Sequence, residues 1–274
     1  MDAAGRVDIV FSDIDGTIAA DDHHPIPESA PTLRRVHASG VPVCLVTARS
    51  PTCVEPFRRA LGFVGPIACY SGAYVLDADG TELLSRTMPV DVALGLLGWL
   101  RSELPGVLPM AYGFHDWVVE DRDDPRVREE ERNVQTASRE CRDLRGAFGE
   151  RGLHKLLLSG SSEQVGAAER AVGERFPELT VVRSNDVLCE VMAGGVGKAE
   201  AVRVLCGRYG VDPANAAAFG DGPNDLDMLL AVGHGYAMAN AEEGVRRAVG
   251  RVTRWTNMEL GVPRTLEELL PAAR

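Results

Sequence analysis

Val7-Asp8-Ile9-Val10-Phe11-Ser12-Asp13-Ile14-Asp15-Gly16-Thr17 is the stretch that decides how the chain is read. A short apolar run rich in β-branched and aromatic residues has the pattern of a buried strand. It runs out into two carboxylates at i and i+2, followed by Gly, the usual punctuation of a strand-to-turn exit. Two further apolar runs end in the same way. Val41-Pro42-Val43-Cys44-Leu45-Val46 leads into Thr47-Ala48-Arg49, and Ala216-Ala217-Ala218-Phe219-Gly220 leads into Asp221-Gly222-Pro223-Asn224-Asp225.

Between these runs lie amphipathic stretches bounded by turn residues, the alternation of βαβ units that builds a parallel sheet. The spacing predicts a helix over 27–39, with Pro27 in its first turn and Gly40 just past its end. Further elements are a helix starting near Ser50-Pro51, a strand over 67–70, and an Asp-Gly turn at 77–80 leading to a strand over 82–85. From about Met88 the texture changes. A helix over 91–103, strands within 110–120, a strand over 154–159, a helix over 162–175 and two short strands within 181–191 form a second α/β module. The Arg/Glu-rich stretch 121–145 reads as a solvated surface helix or loop. After Gly197 the βα alternation resumes, with a helix over 198–209, a strand over 216–220, a helix near 223–231, a strand over 236–238 and a helix from Glu242. The larger domain is therefore discontinuous in sequence.

Composition narrows the function classes. The chain has 274 residues, 45% of them apolar and 25% charged, as a globular protein requires. Its net charge of −11 makes nucleic acid or anionic lipid an unfavourable general partner. No run approaches the roughly 18 apolar residues that span a bilayer, and the start lacks a signal-peptide pattern, so the expectation is a cytoplasmic protein. The cysteines at 44, 53, 69, 141, 189 and 206 form no C-x-x-C pair, which indicates neither a disulfide framework nor a zinc site. Only Lys155 and Lys198 are lysines, so 27 of the 29 basic residues are arginine and each lysine needs a reason.

Functional groups in open α/β sheets gather beyond the carboxyl ends of the strands. Asp13, Asp15, Thr47, Asp221 and Asp225 all fall there, with Lys198 at the start of a helix. Carboxylates brought together from two neighbouring strands repel one another, and a hard divalent cation resolves that repulsion. Magnesium suits all-oxygen donors, and one lysine and one hydroxyl added to them make a phosphoryl pocket. Taken singly, each piece has an ordinary explanation: an Asp-Gly turn, a threonine at a strand end, a helix start favoured by acidic residues, a solvated lysine. Together and in this order they do not.

Two decoys fail on their own terms. Gly194-Gly195-Val196-Gly197-Lys198-Ala199 is not a phosphate loop of the G-x-x-x-x-G-K-[ST] kind, because positions 192 and 199 are Met and Ala. The loop after Asp13 is not an EF-hand, because Gly16 falls at its fourth position rather than its sixth. His23-His24 read as paired surface histidines with no assigned role.

The ordered set DIDGT (13–17), Thr47, Lys198 and GDGPND (220–225) resembles the four motifs of the haloacid dehalogenase-like hydrolases, and within them the Cof-like phosphatases with a large α/β cap. The stretches 69–73, 237–241 (AMANA), 252–253 and 261–262 add to the likeness. The resemblance implies an α/β fold: a Rossmann-like parallel-sheet core over 1–82 plus 187–274, with an inserted α/β cap over 83–186 that selects substrate. It implies a nucleophile at Asp13 and a general acid and base at Asp15. Thr47 and Lys198 would bind phosphate, with Asn224 orienting Lys198 or a carboxylate. Mg2+ would be held by Asp13, the main-chain carbonyl of Asp15 and Asp221, with Asp225 direct or one step removed. Arg49, Ser71, Gly72, Tyr112, His115, Trp117 and Lys155 are the candidate substrate contacts. Three departures from the family pattern are Ser71 for Asn, Ala48 for Gly, and Gly197-Lys198-Ala199 for S-K-G. None removes a catalytic functional group.

The expected activity is hydrolysis of a small soluble phosphomonoester, a sugar phosphate or related metabolite, through an aspartyl-phosphate, by a monomer or small homo-oligomer. A phosphotransferase or phosphomutase shares that intermediate and remains an alternative. So does a phosphorylatable magnesium-binding module without turnover, although a base at Asp15 argues against a long-lived phosphoaspartate.

Overall fold

The computed structural model describes residues 6–270. In chain order the first strands and helices are β1 (Ile9–Ser12), α1 (Ala30–Ala38), β2 (Val43–Val46), α2 (Pro51–Leu61), β3 (Ile67–Cys69), β4 (Tyr74–Leu76) and β5 (Glu82–Ser85). There follow α3 (Val90–Glu103), β6 (Leu108–Gly113), β7 (Asp116–Val119), α4 (Pro125–Val134), β8 (Arg139–Glu140), α5 (Leu144–Phe148), β9 (Lys155–Ser159), α6 (Ser162–Arg175), β10 (Leu179–Asn185) and β11 (Leu188–Ala193). The chain ends with α7 (Lys198–Tyr209), β12 (Ala216–Gly220), α8 (Leu226–Leu230), β13 (His234–Ala237), α9 (Glu243–Val249) and α10 (Gly261–Leu269).

These elements form two compact units, each with its own sheet. The first comprises the residues up to Arg49, Val54–Leu84 and the residues from Gly197 onward; the second comprises Ser50–Cys53 and Ser85–Val196. The first unit is a Rossmann-like core with a seven-stranded sheet in the order β13-β12-β1-β2-β3-β4-β5. Neighbours from β13 through β3 are parallel, and β3 pairs antiparallel with β4. At its centre Ile9, Val10 and Phe11 are completely buried. The small residues Ala216, Ala217 and Ala218 lie directly opposite them in register, so β12 packs close beside a strand of large side chains.

The second unit has a six-stranded sheet in the order β10-β11-β9-β6-β7-β8. Alternate residues along its strands, Ala111, Val118, Leu156, Leu158, Cys189 and Val191, form one core with Leu96, Leu97 and Leu100 of α3 and Val165, Ala168 and Val172 of α6. Because successive side chains on a strand point to opposite faces, Tyr112, Trp117, Lys155 and Glu190 occupy the other face. Helix α6 starts where Ser161 and Gln164 close a capping box, a signal readable in the sequence.

Two expectations change. The second unit runs to Val196 rather than to 186, because β10 and β11 are antiparallel neighbours and β11 also pairs with β9, which ties 188–193 to the inserted sheet. The stretch 121–145 is more than a solvated segment: α4 buries Val127, α5 buries Leu144 and Phe148, and Arg139–Glu140 adds an edge strand beside β7. Among the described residues no helix is long and apolar enough to cross a membrane.

Truncating the centre of the first sheet should be expensive, since a fully buried aromatic loses both its transfer energy and its packing. Phe11→Ala is expected to lower unfolding stability by about 3–5 kcal/mol in urea denaturation. Leu230→Ala, at a position 62% exposed, should stay within about 0.5 kcal/mol of the parent.

Candidate active site

The exits of β1, β2 and β12 and the first turn of α7 bring the candidate residues of the first unit together. Asp13 follows β1, its backbone N–H donating to Phe219 O of β12 at 2.9 Å. Gly16, at the turn of the same loop, has φ +69°, and a Cβ there would lie 2.1 Å from Asp221 Oδ2. Only glycine lets the loop lie against that carboxylate.

Lys198 is the hub. Its Nζ donates to Asp13 Oδ1 at 2.6 Å and to Asp225 Oδ1 at 2.5 Å, and all three side chains are buried. Asp225 also accepts, at Oδ2, the backbone N–H groups of Asp221 (3.0 Å) and Gly222 (2.9 Å). It therefore fixes both the lysine and the loop that carries Asp221. Asn224 is half-buried and makes no hydrogen bond to Lys198 or to a carboxylate among the described residues; Asp225 is the neighbour that reaches Lys198.

On the β2 side, Thr47 is buried and its Oγ1 accepts the Arg49 N–H at 3.1 Å, which leaves the hydroxyl hydrogen to donate. The residues after β3 brace this turn. Ser71 N–H donates to Thr47 O (2.9 Å) and Tyr70 N–H to Arg49 O (3.1 Å), from a left-handed run in which Tyr70, Ser71 and Gly72 all have positive φ. Of the expected substrate contacts Ser71 and Gly72, Ser71 thus braces the Thr47 backbone, and Gly72 lies in the same run. The Arg49 guanidinium is turned onto Asp15: Nε donates to Oδ2 at 2.8 Å and Nη2 to Oδ1 at 2.6 Å. His23 Nδ1 lies 3.0 Å from the same Oδ1, a contact that no spacing in the sequence announces.

The two carboxylates of D-x-D are held in opposite ways. Burial pushes Asp13 well above the ordinary carboxylate range; Lys198 opposes this, while Asp225, Asp221 and Asp15 add to it. Burial also works to raise Asp15, but the hydrogen bonds from Arg49 and His23 outweigh it and hold Asp15 below its ordinary value. Burial and then the Asp225 charge raise Asp221 to about 7, with Lys198 opposing. Burial alone would lower Lys198, yet Asp13 and Asp225 keep its ammonium charged well above the usual lysine range. Asp13, Asp221 and Asp225 each offer an oxygen within 4.8 Å of the others, an all-carboxylate donor set that fits a hard divalent cation.

The remaining candidates belong to the second unit. Tyr112 and Trp117 face each other across β6 and β7, with ring centroids 5.1 Å apart and planes within 11°. Lys155 Nζ lies 5.1 Å from the Tyr112 ring centre and pairs at 3.1 Å with Glu190, a buried partner the sequence reading missed. Trp117 Nε1 is buried with no hydrogen-bond partner among the described residues. His115 stands apart, exposed in the turn between β6 and β7.

Comparison with known proteins agrees with this geometry. The model of a haloacid dehalogenase-like hydrolase family matches residues 10–266. A provisionally named phosphatase of Haemophilus influenzae is 32% identical over 263 residues, covering 96% of this chain and 98% of its own. A phosphoglycolate phosphatase of Methanopyrus kandleri is 30% identical, covering 96% of this chain and 97% of its own. Among solved structures, a haloacid dehalogenase-like hydrolase from Bacteroides thetaiotaomicron superposes with a TM-score of 0.87 at 26% identity, over 97% of this chain and 100% of its own.

The charge balance makes metal binding and pH interdependent. Asp221 titrates near 7 in the folded chain and near 4 when unfolded, so the folded form binds the extra proton between those values. Metal-free protein should therefore lose thermal stability as pH rises from about 4 through about 7. A divalent cation, which replaces that proton, should raise the melting temperature more at pH 8 than at pH 5; an equal gain at both would contradict this balance.

Proposed function

The chain belongs to the haloacid dehalogenase-like hydrolases, and from that premise we propose that it is a magnesium-dependent phosphatase that hydrolyses a small phosphomonoester through an aspartyl-phosphate on Asp13. The observation that carries this reading is the Lys198 bridge. It occupies Asp13 Oδ1, fixes the carboxylate, and leaves Oδ2 to attack phosphorus. In the first half-reaction the Asp13 Oδ2–phosphorus bond forms and the ester phosphorus–oxygen bond breaks, with Asp15 delivering a proton to the leaving alkoxide. In the second half Asp15 takes a proton from the water that attacks phosphorus, and the Asp13 carboxylate leaves. The proton gained there serves the next leaving group, so the cycle closes.

Lys198 and the Thr47 hydroxyl hold the non-bridging oxygens, the lysine as a fixed positive charge already oriented by Asp225. Asp13, Asp221 and the Asp15 carbonyl would hold magnesium, with Asp225 direct or one step removed. When bound, the ion would screen the anionic nucleophile from the anionic phosphate.

The inserted unit would select the leaving group. Its Tyr112–Trp117 ring pair and the Lys155–Glu190 ion pair, all four residues buried, share the sheet face that the unit's own helices leave uncovered. Relatives named for phosphoglycolate, pyridoxal phosphate and a phosphoribitylamino-uracil as substrates support a soluble metabolite as the class.

Phosphate release from a panel of sugar phosphates, nucleotides and other phosphomonoesters tests the reading. Release should require added magnesium, and Asp13→Asn should abolish it while the fold survives. Lys198→Met should cut turnover by about 10²- to 10³-fold, the usual loss for one preorganised charge on the transferring group. Product formed only when an acceptor alcohol is added would identify a phosphotransferase instead.

A further inference from the structure

Asp15 needs a lone pair aimed at the substrate, and its half-buried carboxylate already meets three donors. A carboxylate offers about four acceptor sites, two on each oxygen. Asp15 Oδ1 receives Arg49 Nη2 at 2.6 Å and, with the proton on Nδ1, His23 at 3.0 Å, which fills it; among the described residues Oδ2 receives only Arg49 Nε, at 2.8 Å. The planar fork makes two parallel bonds, so it fixes the plane of the carboxylate as well as its position.

The clamp is itself held firmly. Arg49 is 7% exposed, lies over the Phe57 ring at 5.1 Å, and donates from Nη2 to the His23 carbonyl at 3.3 Å. His23 adopts a left-handed backbone, uncommon for a residue with a side chain, in a turn closed by Ala20–His24 and His23–Ala20 hydrogen bonds. That loop is tied from beneath by Asn240 Nδ2 to Gly16 O (2.8 Å) and by Asn257 Nδ2 to Ala19 O (3.0 Å). Rigid side chains on rigid loops, meeting at one carboxylate, are what a precisely aimed proton-transfer group requires.

We infer that Arg49 is a positioning residue for Asp15: with His23 it anchors Oδ1 and leaves Oδ2 as the oxygen that exchanges the proton with leaving group and water. The inference rests on the phosphatase reading given above. It also reassigns Arg49, which acts through Asp15 rather than as a contact to substrate.

Steady-state kinetics on the magnesium-loaded enzyme tests it, with Arg49→Ala and Arg49→Lys compared against the parent on the best substrate of the panel. Arg49→Ala should lower kcat by about 10- to 100-fold, part of what a positioned acid–base group supplies, while KM changes by less than about threefold. Guanidinium ion at sub-denaturing concentration should restore part of the lost kcat in Arg49→Ala and none in Asp15→Asn. Arg49→Lys should recover less than guanidinium does, because an ammonium cannot make the two parallel bonds. A raised KM with unchanged kcat would make Arg49 a substrate ligand and overturn the inference. So would an unchanged kcat and KM, or a loss that neither guanidinium nor Arg49→Lys relieves, which marks a merely structural arginine. A parent enzyme that releases no phosphate with magnesium would instead remove the phosphatase reading, and this inference with it.

Discussion

The ammonium of Lys198, buried between Asp13 and Asp225, is the interaction on which the rest of the site depends. Removing three ionised side chains from water costs several kcal/mol each unless they satisfy one another, and here they do so at 2.5–2.6 Å. The sheet makes this meeting possible. Parallel β1 and β12 end side by side, so the carboxylates that follow them converge, and α7 presents its first residue to both. The remaining negative charge on Asp13 and Asp221 is left to protons or to a cation, and the three carboxylates of this crevice could hold one.

Two residues of backbone separate carboxylates with opposite environments. Asp13 is buried among acids and shifted up; Asp15 lies nearer solvent, takes three hydrogen bonds and is shifted down. Without a cation to neutralise it, the first carboxylate favours a proton, while the second stays ionised under its donors. The chain turns after β1, so the two side chains meet different neighbours: Lys198 for the first carboxylate, Arg49 and His23 for the second.

Much of this was legible before any coordinates. The apolar run ending at Ser12 announced the central strand, and the carboxylates after β1 and β12 announced the crevice, because strand ends are where an α/β sheet places chemistry. Lysine itself was a signal. In a chain that otherwise uses arginine, both lysines prove to be buried against carboxylates, Lys198 in the first unit and Lys155 in the second. What stayed hidden depends on side-chain direction or long-range pairing. Asn224 stands next to Asp225 in sequence, yet only Asp225 reaches Lys198. The Arg49 fork on Asp15 is a tertiary contact, and His23 occupies a turn whose left-handed backbone no pattern predicts. The boundary near 187 moved because antiparallel pairing between β10 and β11 is a tertiary fact. Helix α10 escaped because its first turn holds Gly261 and Pro263, residues that punctuate loops as often as they open helices.

The central claim is that Asp13 forms a covalent bond to phosphorus. The most direct measurement is mass analysis of the peptide containing Asp13 after acid quenching of a single turnover with magnesium, using Asp15→Asn to slow breakdown of the intermediate and a nitrophenyl phosphate, whose leaving group needs no proton, to form it. The account predicts one added phosphoryl group on Asp13, absent when the same experiment is run with Asp13→Asn. Phosphate release with that peptide unmodified, or a phosphoryl group found on another residue, would contradict it.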